Sequence, residues 1–377
     1  MTSGFRHTIN GGIAATAVLL LAAPAPAQTT YPQWNACIGK ETRPEARITA
    51  CSFAIQSGRE KGANLSIALS SRGAAYAEKG EHDRAIADFG QAIEQDPKNG
   101  AAYHNRALSH IDTGNFDRAL ADFDQVIKLD PKSSLAYYSR AQAHQEKREY
   151  DRAIQDLNQA IKLNPNYAQA IFARGMAYRA KGESDRAAPD FDSVIKLTPR
   201  DAAAFSNRGL AYKDLRDYDR AIQDLSQALK LDSSYSAALS HRGLIHFSKG
   251  DIDRAIDDFD QAIQVNPKDG EAYNNRGIAY RSKGVPDRAI ADYDQAVELK
   301  PNYAVAFYNR GNAYYDKRDH NRAIQDYDQA IKINPKYTAA FYDRGVAYYD
   351  KREYDRAIQD LSQAITLDPK DALASYN

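Results

Sequence analysis

Neither sign of charge is in excess in this chain. Lys plus Arg and Asp plus Glu number 50 each, so the formal net charge is zero. A chain that binds nucleic acid carries a basic excess or a basic stripe, and without either no nucleic-acid partner is expected. Long apolar runs are also missing. The run from Ile13 to Ala23 falls short of the roughly 20 residues that span a bilayer, although a hydrophobic share of 43% is enough for a core. The sequence has no Gly-rich phosphate loop, no H-E-x-x-H and no G-x-S-x-G. Its eight His show no ligand spacing, and His241 and His246, five apart, do not share a helix face. No catalytic residue, metal or cofactor is therefore expected, and the chain reads as non-enzymatic.

Cysteine is nearly absent too: there are only Cys37 and Cys51. What precedes them has the order of a secretory leader. A short polar start containing Arg6 is followed by the apolar run Ile13 to Ala23 and then by Ala25-Pro26-Ala27, an A-x-A cleavage pattern. Residues 1–27 are accordingly read as a signal peptide and the mature chain as exported, periplasmic or secreted. In such a chain an isolated cysteine pair reads as a disulfide; two buried thiols are the other reading. One straight helix would hold the two about 21 Å apart at 1.5 Å per residue, but Pro44 permits a turn between them.

Proline punctuates the rest. It stands at 97, 131, 165, 199, 267, 301, 335 and 369, a period of 34 residues broken only at Ser233. Asp-Arg-Ala recurs in the same register, with Asn321 replacing Asp once, and Ala fills nine of nine places from Ala85 to Ala357. The units are 66–99, 100–133, 134–167, 168–201, 202–235, 236–269, 270–303, 304–337 and 338–371. Each predicts a helix pair. In the seventh, Ala272, Tyr273, Gly277, Ala279 and Tyr280 lie close to one helical face. Lys283 to Pro286 reads as a stop and turn, Asp287 as the N-cap of the second helix, and Ala289, Tyr293, Ala296 and Val297 as its apolar stripe. Gly277 is placed where the second helix crosses, with Tyr293 filling the space beside Ala289 and Ala296.

This pattern resembles the tetratricopeptide repeat: Tyr273 at the fourth place of the unit, Gly277 at the eighth, Tyr280 at the eleventh, Ala289 at the twentieth, Tyr293 at the twenty-fourth, Ala296 at the twenty-seventh and Pro301 at the thirty-second. The resemblance covers all nine units and implies an all-α fold, a right-handed α-solenoid of nine tandem 34-residue hairpins that binds protein. One departure is the seventh place, usually Leu in the family, which is Arg from Arg72 to Arg344. A parallel Asp series runs from Asp88 to Asp360. Equal numbers of opposite charges beside a core predict an ion-pair ladder between the helices.

Residues 28–65 depart from the period. Ile48, Cys51, Ala54 and Ile55 share a face, and the segment is read as a degenerate Cys-containing helical cap. Residues 372–377 form a short tail. In the family, first helices line a concave groove through places two, five, six, nine, twelve and thirteen. The resemblance therefore nominates Asn105, Asn207, Asn275 and Asn309 at the sixth place, together with Tyr308, Tyr315, Tyr342, Tyr349 and Asp343, as contacts for an extended segment with apolar and basic side chains. No second or sixth place is basic, so the family's carboxylate-clamp mode is not expected. The expected role is a scaffold of the bacterial cell envelope that holds a protein or peptide. The alternative is a structural protein that self-associates, as a homodimer, through an uncovered C-terminal repeat.

Overall fold

The computed structural model describes residues 32–39 and 42–368. The leader at 1–27 and the tail at 372–377 lie outside them. Among the described residues there are twenty α-helices and no strand, the helix pairs of an α-solenoid. The chain divides into two units, residues 1–197 and 198–377. The first holds the lead segment and repeats one to four, the second repeats five to nine.

Each repeat after the first pairs a 13-residue helix with a 14-residue helix, as in Gly270–Ser282 and Pro286–Leu299. The turn between them needs a left-handed residue. Gly80, Gly114, Gly182, Gly250 and Gly284 supply it in five repeats, and Arg148, Arg216, Arg318 and Arg352, at φ 59–63°, in four. Close approach explains the eighth place. A Cβ on Gly277 would come within 2.7 Å of the Tyr293 ring, and one on Gly243 within 2.8 Å of Phe259. Bulky rings fill the second helix because the facing place has been emptied.

The N-cap differs from expectation. The second helix of repeat seven begins at Pro286 with Val285 as its cap, so Asp287 stands inside the first turn. In repeats five and eight the capping carboxylates are Asp217 and Asp319, each accepting from a backbone N–H three residues on, at 3.1 Å. The triplet Asp has a different partner: Lys283 reaches back 30 residues to Asp253 at 2.5 Å, and Lys249 does the same to Asp219. The first repeat also starts early, with its first helix running Gly62–Glu78, because no Asp-Pro or Asn-Pro turn precedes it.

In the lead segment, helices Pro32–Ile38 and Pro44–Gln56 are joined by a disulfide between Cys37 and Cys51, with Cα atoms 4.6 Å apart. Trp34, both cysteines, Ala50 and Ala54 form one buried cluster with Ala68 of the first repeat. The helical pair thus packs on the first repeat.

The arginine series forms the expected ladder. In all nine repeats the seventh-place Arg makes two hydrogen bonds of 2.5–3.0 Å, through Nε and Nη2, to the Asp 16 residues on. Those carboxylates are only 3–6% exposed. The remaining Nη1 reaches back into the preceding repeat: Arg276 to Asp260 at 2.7 Å, Arg310 to Asp294 at 2.7 Å and Arg344 to Asp328 at 2.5 Å. Arg72 has no preceding repeat and takes Ser52 of the lead segment at 3.2 Å. Each guanidinium thus joins the two helices of its own repeat and, in most repeats, also reaches the one before.

Two outcomes follow from this packing. Arg276→Leu leaves Asp292 buried without a counter-ion and should cost about 3 kcal/mol, while adding Asp292→Ala should recover more than half of that, read by urea melts of the single and double variants. The Tyr327 hydroxyl donates to Asn312 at 2.7 Å, whereas that of Tyr293 finds no partner among the described residues, because Ile278 occupies the matching place. Tyr327→Phe should therefore cost about 1 kcal/mol more than Tyr293→Phe in the same measurement.

Candidate partner-binding surface

Places five and twelve share one side of a first helix, as do six and thirteen, because seven residues approximate two turns at 3.6 per turn. Their side chains meet those of the next first helix 35 residues on. His104 Nε2 lies 3.1 Å from Ser139 Oγ in the first unit. In the second, the amide of Asn309 donates to Asn274 at 2.9 Å, Tyr308 donates its hydroxyl to Asp343 at 2.7 Å, Arg281 donates to Asp316 at 2.6 Å and Tyr315 donates to Asp350 at 2.5 Å. Place five pairs with the next place six, and place twelve with the next place thirteen.

This pairing sorts the nominated residues. Tyr308 is half-buried, its ring 5.0 Å from that of Tyr337 and 6.0 Å from that of Tyr327, so it packs between helices. Burial raises the Tyr308 hydroxyl, which keeps its proton on the oxygen that donates, and burial raises the Asp343 carboxyl as well. Tyr315 rests edge-on against His320 at 5.2 Å, and its bond to Asp350 pushes its hydroxyl up to about 12. Tyr342 and Tyr349 make no hydrogen bond among the described residues and are 44% and 61% exposed. Asp350, next to Tyr349 in sequence, is exposed.

The asparagines do not form one open row. Asn105 is 5% exposed, so it does not face an open surface. Ring-bearing neighbours close over the helix there, His104 lying edge-on to Phe123 at 5.5 Å. Asn207 is half-buried and donates to the Ala203 carbonyl at 2.9 Å. Asn275 is half-buried beside Asn274, and Asn309 is turned toward Asn274. Sequence reading missed Arg281 and its pairing with Asp316; complementary residues at places twelve and thirteen of successive units were the available signal. Among the described residues no group of His, Cys, Asp and Glu is arranged to hold a metal ion, and no helix is long and apolar enough to cross a membrane.

Comparison with known proteins agrees with this geometry. Two family models, both described as tetratricopeptide repeat, match. One covers 104–168, 138–203, 172–236, 206–264 and 242–304; the other covers 66–99, 304–337 and 338–371. The crystal structure of the APC/C hetero-tetramer Cut9-Hcn1 is similar at 16% identity and a TM-score of 0.52, over 90% of this chain and 85% of that one. The C-terminal part of a TPR repeat-containing protein from Cytophaga hutchinsonii is similar at 20% identity and a TM-score of 0.51, over 64% of this chain and 99% of that one. MamA is 29% identical over 43% of this chain and 94% of its own, with a TM-score of 0.41. No curated protein matches significantly.

His104 gives this surface a pH dependence. Burial pushes its imidazole down to about 4, against a smaller upward pull from Asn105. The unfolded chain takes up that proton below about pH 6.5 and the folded chain does not, so stability is lost as pH falls from about 6.5 toward 4. Phe172 stands at the same place of repeat four, edge-on to Phe191 at 5.4 Å, so Phe fits this environment. Between about pH 7 and about pH 5 the melting temperature of His104→Phe should fall less than that of the wild type.

Proposed function

The chain belongs to the tetratricopeptide-repeat family, and on that premise we propose that this protein–protein interaction scaffold holds an extended partner segment on the first-helix face of repeats eight and nine. Tetratricopeptide-repeat proteins bind protein or peptide partners, and the fold is typically non-catalytic. The observation that carries the finer reading is the pair of exposed tyrosines on helix Thr338–Asp350. Tyr308 and Tyr315 are satisfied by Asp343 and Asp350 of the next repeat. Tyr342 and Tyr349 are 44% and 61% exposed, the Tyr349 ring lying edge-on to Tyr354 at 5.6 Å. A tyrosine offers large contact area at low entropic cost and anchors many interfaces. Asp350, next to Tyr349 in sequence and exposed, favours a segment carrying apolar and basic side chains.

The secretory pattern at residues 1–27 and the Cys37–Cys51 disulfide support a place for this scaffold in the bacterial envelope or outside the cell, since such bridges persist in oxidising compartments. Self-association is the second reading. On the last described helix, Tyr354–Leu367, Ile358 is 64% exposed, while Ile324 at the same place one repeat earlier is 7% exposed. Light scattering over a concentration series separates the two readings: a monomer throughout removes self-association.

The groove reading is tested with a partner recovered by crosslinking from an envelope extract and then titrated as a purified fragment. Tyr342→Ala with Tyr349→Ala should lose at least about 2 kcal/mol of binding, a hot-spot magnitude, with an unchanged melting curve. Equal affinity in the double variant would remove these tyrosines from the site.

A further inference from the structure

The turn edge of the array repeats one charge motif, and one repeat breaks it. The Lys that ends a first helix reaches back to the triplet Asp of the preceding repeat: Lys147 to Asp117, Lys181 to Asp151, Lys249 to Asp219 and Lys283 to Asp253 at 2.5–2.6 Å, and Lys317 to Asp287. In repeat nine the same reach brings Lys351 toward Asn321, which has no charge to give it. Lys351 holds only Glu353, at 2.7 Å. Beside it stand Arg318 and Arg352, exposed and with no ion pair among the described residues. Both occupy the left-handed turn position at φ 63°, where five other repeats have Gly. The backbone carries the strain of a bulky residue at each, and in return two cations stand on consecutive turns.

Between these turns lies a shallow cleft of about 370 Å³ lined by Lys317, Arg318, Asp319, His320, Asn321 and Lys351. Of the cations there, Lys317 is held by Asp287 and Lys351 by Glu353, Arg318 has no ion pair among the described residues, and the one lining carboxylate, Asp319, is engaged by Arg322 at 2.6 Å. The matching cleft between repeats three and four has Glu149 and Asp151 in its lining. There Asp151 takes Lys181, and Glu149 takes both Lys147 and Arg152. Same fold and same turn therefore leave the junction of repeats eight and nine one carboxylate short of its counterpart, Asn321 standing where the other has Asp151.

We propose that this edge of repeats eight and nine is a second docking surface, separate from the first-helix face, that binds an acidic polypeptide segment. Charge complementarity selects the sign. The repeat spacing selects a chain over a single anion: neighbouring helices lie about 10 Å apart, roughly the span of carboxylates three residues apart on an extended strand at 3.3 Å per residue. Arg318 and Arg352 take one carboxylate each, and Lys351 with the Asn321 amide takes the backbone or side chain between them.

The test is titration of the full chain into labelled hexaglutamate at low ionic strength, read by fluorescence anisotropy. Two variants restore what other repeats carry: Asn321→Asp returns the carboxylate to Lys351, and Arg318→Gly with Arg352→Gly returns glycine to the turns. Each should weaken binding about tenfold or more while the melting temperature stays level or rises. Arg148→Gly, the same change at the junction of repeats three and four, should leave the affinity unaltered, and added salt should weaken the wild-type complex. Failure of the wild type to bind hexaglutamate, unchanged affinity in both restoring variants, or an equal loss in Arg148→Gly would overturn the proposal. A lowered melting temperature in the restoring variants would assign these residues to the fold instead. Binding of phosphatidylglycerol vesicles in preference to the peptide would assign the edge to lipid and overturn it equally.

Discussion

A guanidinium held by three acceptors organises this molecule. Two of its bonds close the hairpin within a repeat, and a third tends to reach the repeat before. A plain hydrophobic residue at the seventh place would bury well but fix no register. The planar fork admits a single geometry with a carboxylate, so the relative rotation of the two helices is set wherever it occurs. The ladder carries a hazard with this specificity, because a carboxylate so deeply buried is costly once its partner is gone. Stacking helps contain the cost: Arg276 also lies 5.5 Å over the Tyr273 ring, one turn back on its own helix, and Arg344 lies 5.4 Å over Phe341.

The ladder frees other surfaces from a structural role. With hairpin geometry fixed in the interior, the first-helix face can vary from Ser and Asn in early repeats to Tyr and Asp in late ones. Most of those residues still find one another across successive helices, and what is left for a partner is the remainder after this internal pairing. Function on such a scaffold is therefore read from residues whose counterpart is missing. Lys351 faces an amide at Asn321 where Lys317 has the carboxylate of Asp287.

Much of the architecture was legible because the repeat is a nine-fold internal comparison. The hairpin boundaries, the crossing at Gly277 and the pairing of the Arg and Asp series all follow from residues in fixed register. Local chemistry was less legible. Asp287 looks like a helix cap because Asp commonly is one, yet the cap lies two residues earlier and this Asp serves a lysine in the next repeat. Asn105 shares its place with Asn309 but is buried, a difference that register alone does not reveal. The links from Tyr308 to Asp343 and from Arg281 to Asp316 join places that differ by one, and a column-by-column reading of the repeat passes over them.

That offset has an evolutionary side. A contact between place five of one hairpin and place six of the next does not specify which hairpins they are, only that they adjoin. Were residues 304–337 excised as a block, Arg281 would meet Asp350 in place of Asp316, and Arg344 would meet Asp294 in place of Asp328, like for like. The joints are interchangeable, so such an array can gain or shed whole modules by recombination at the DNA level and still close every seam.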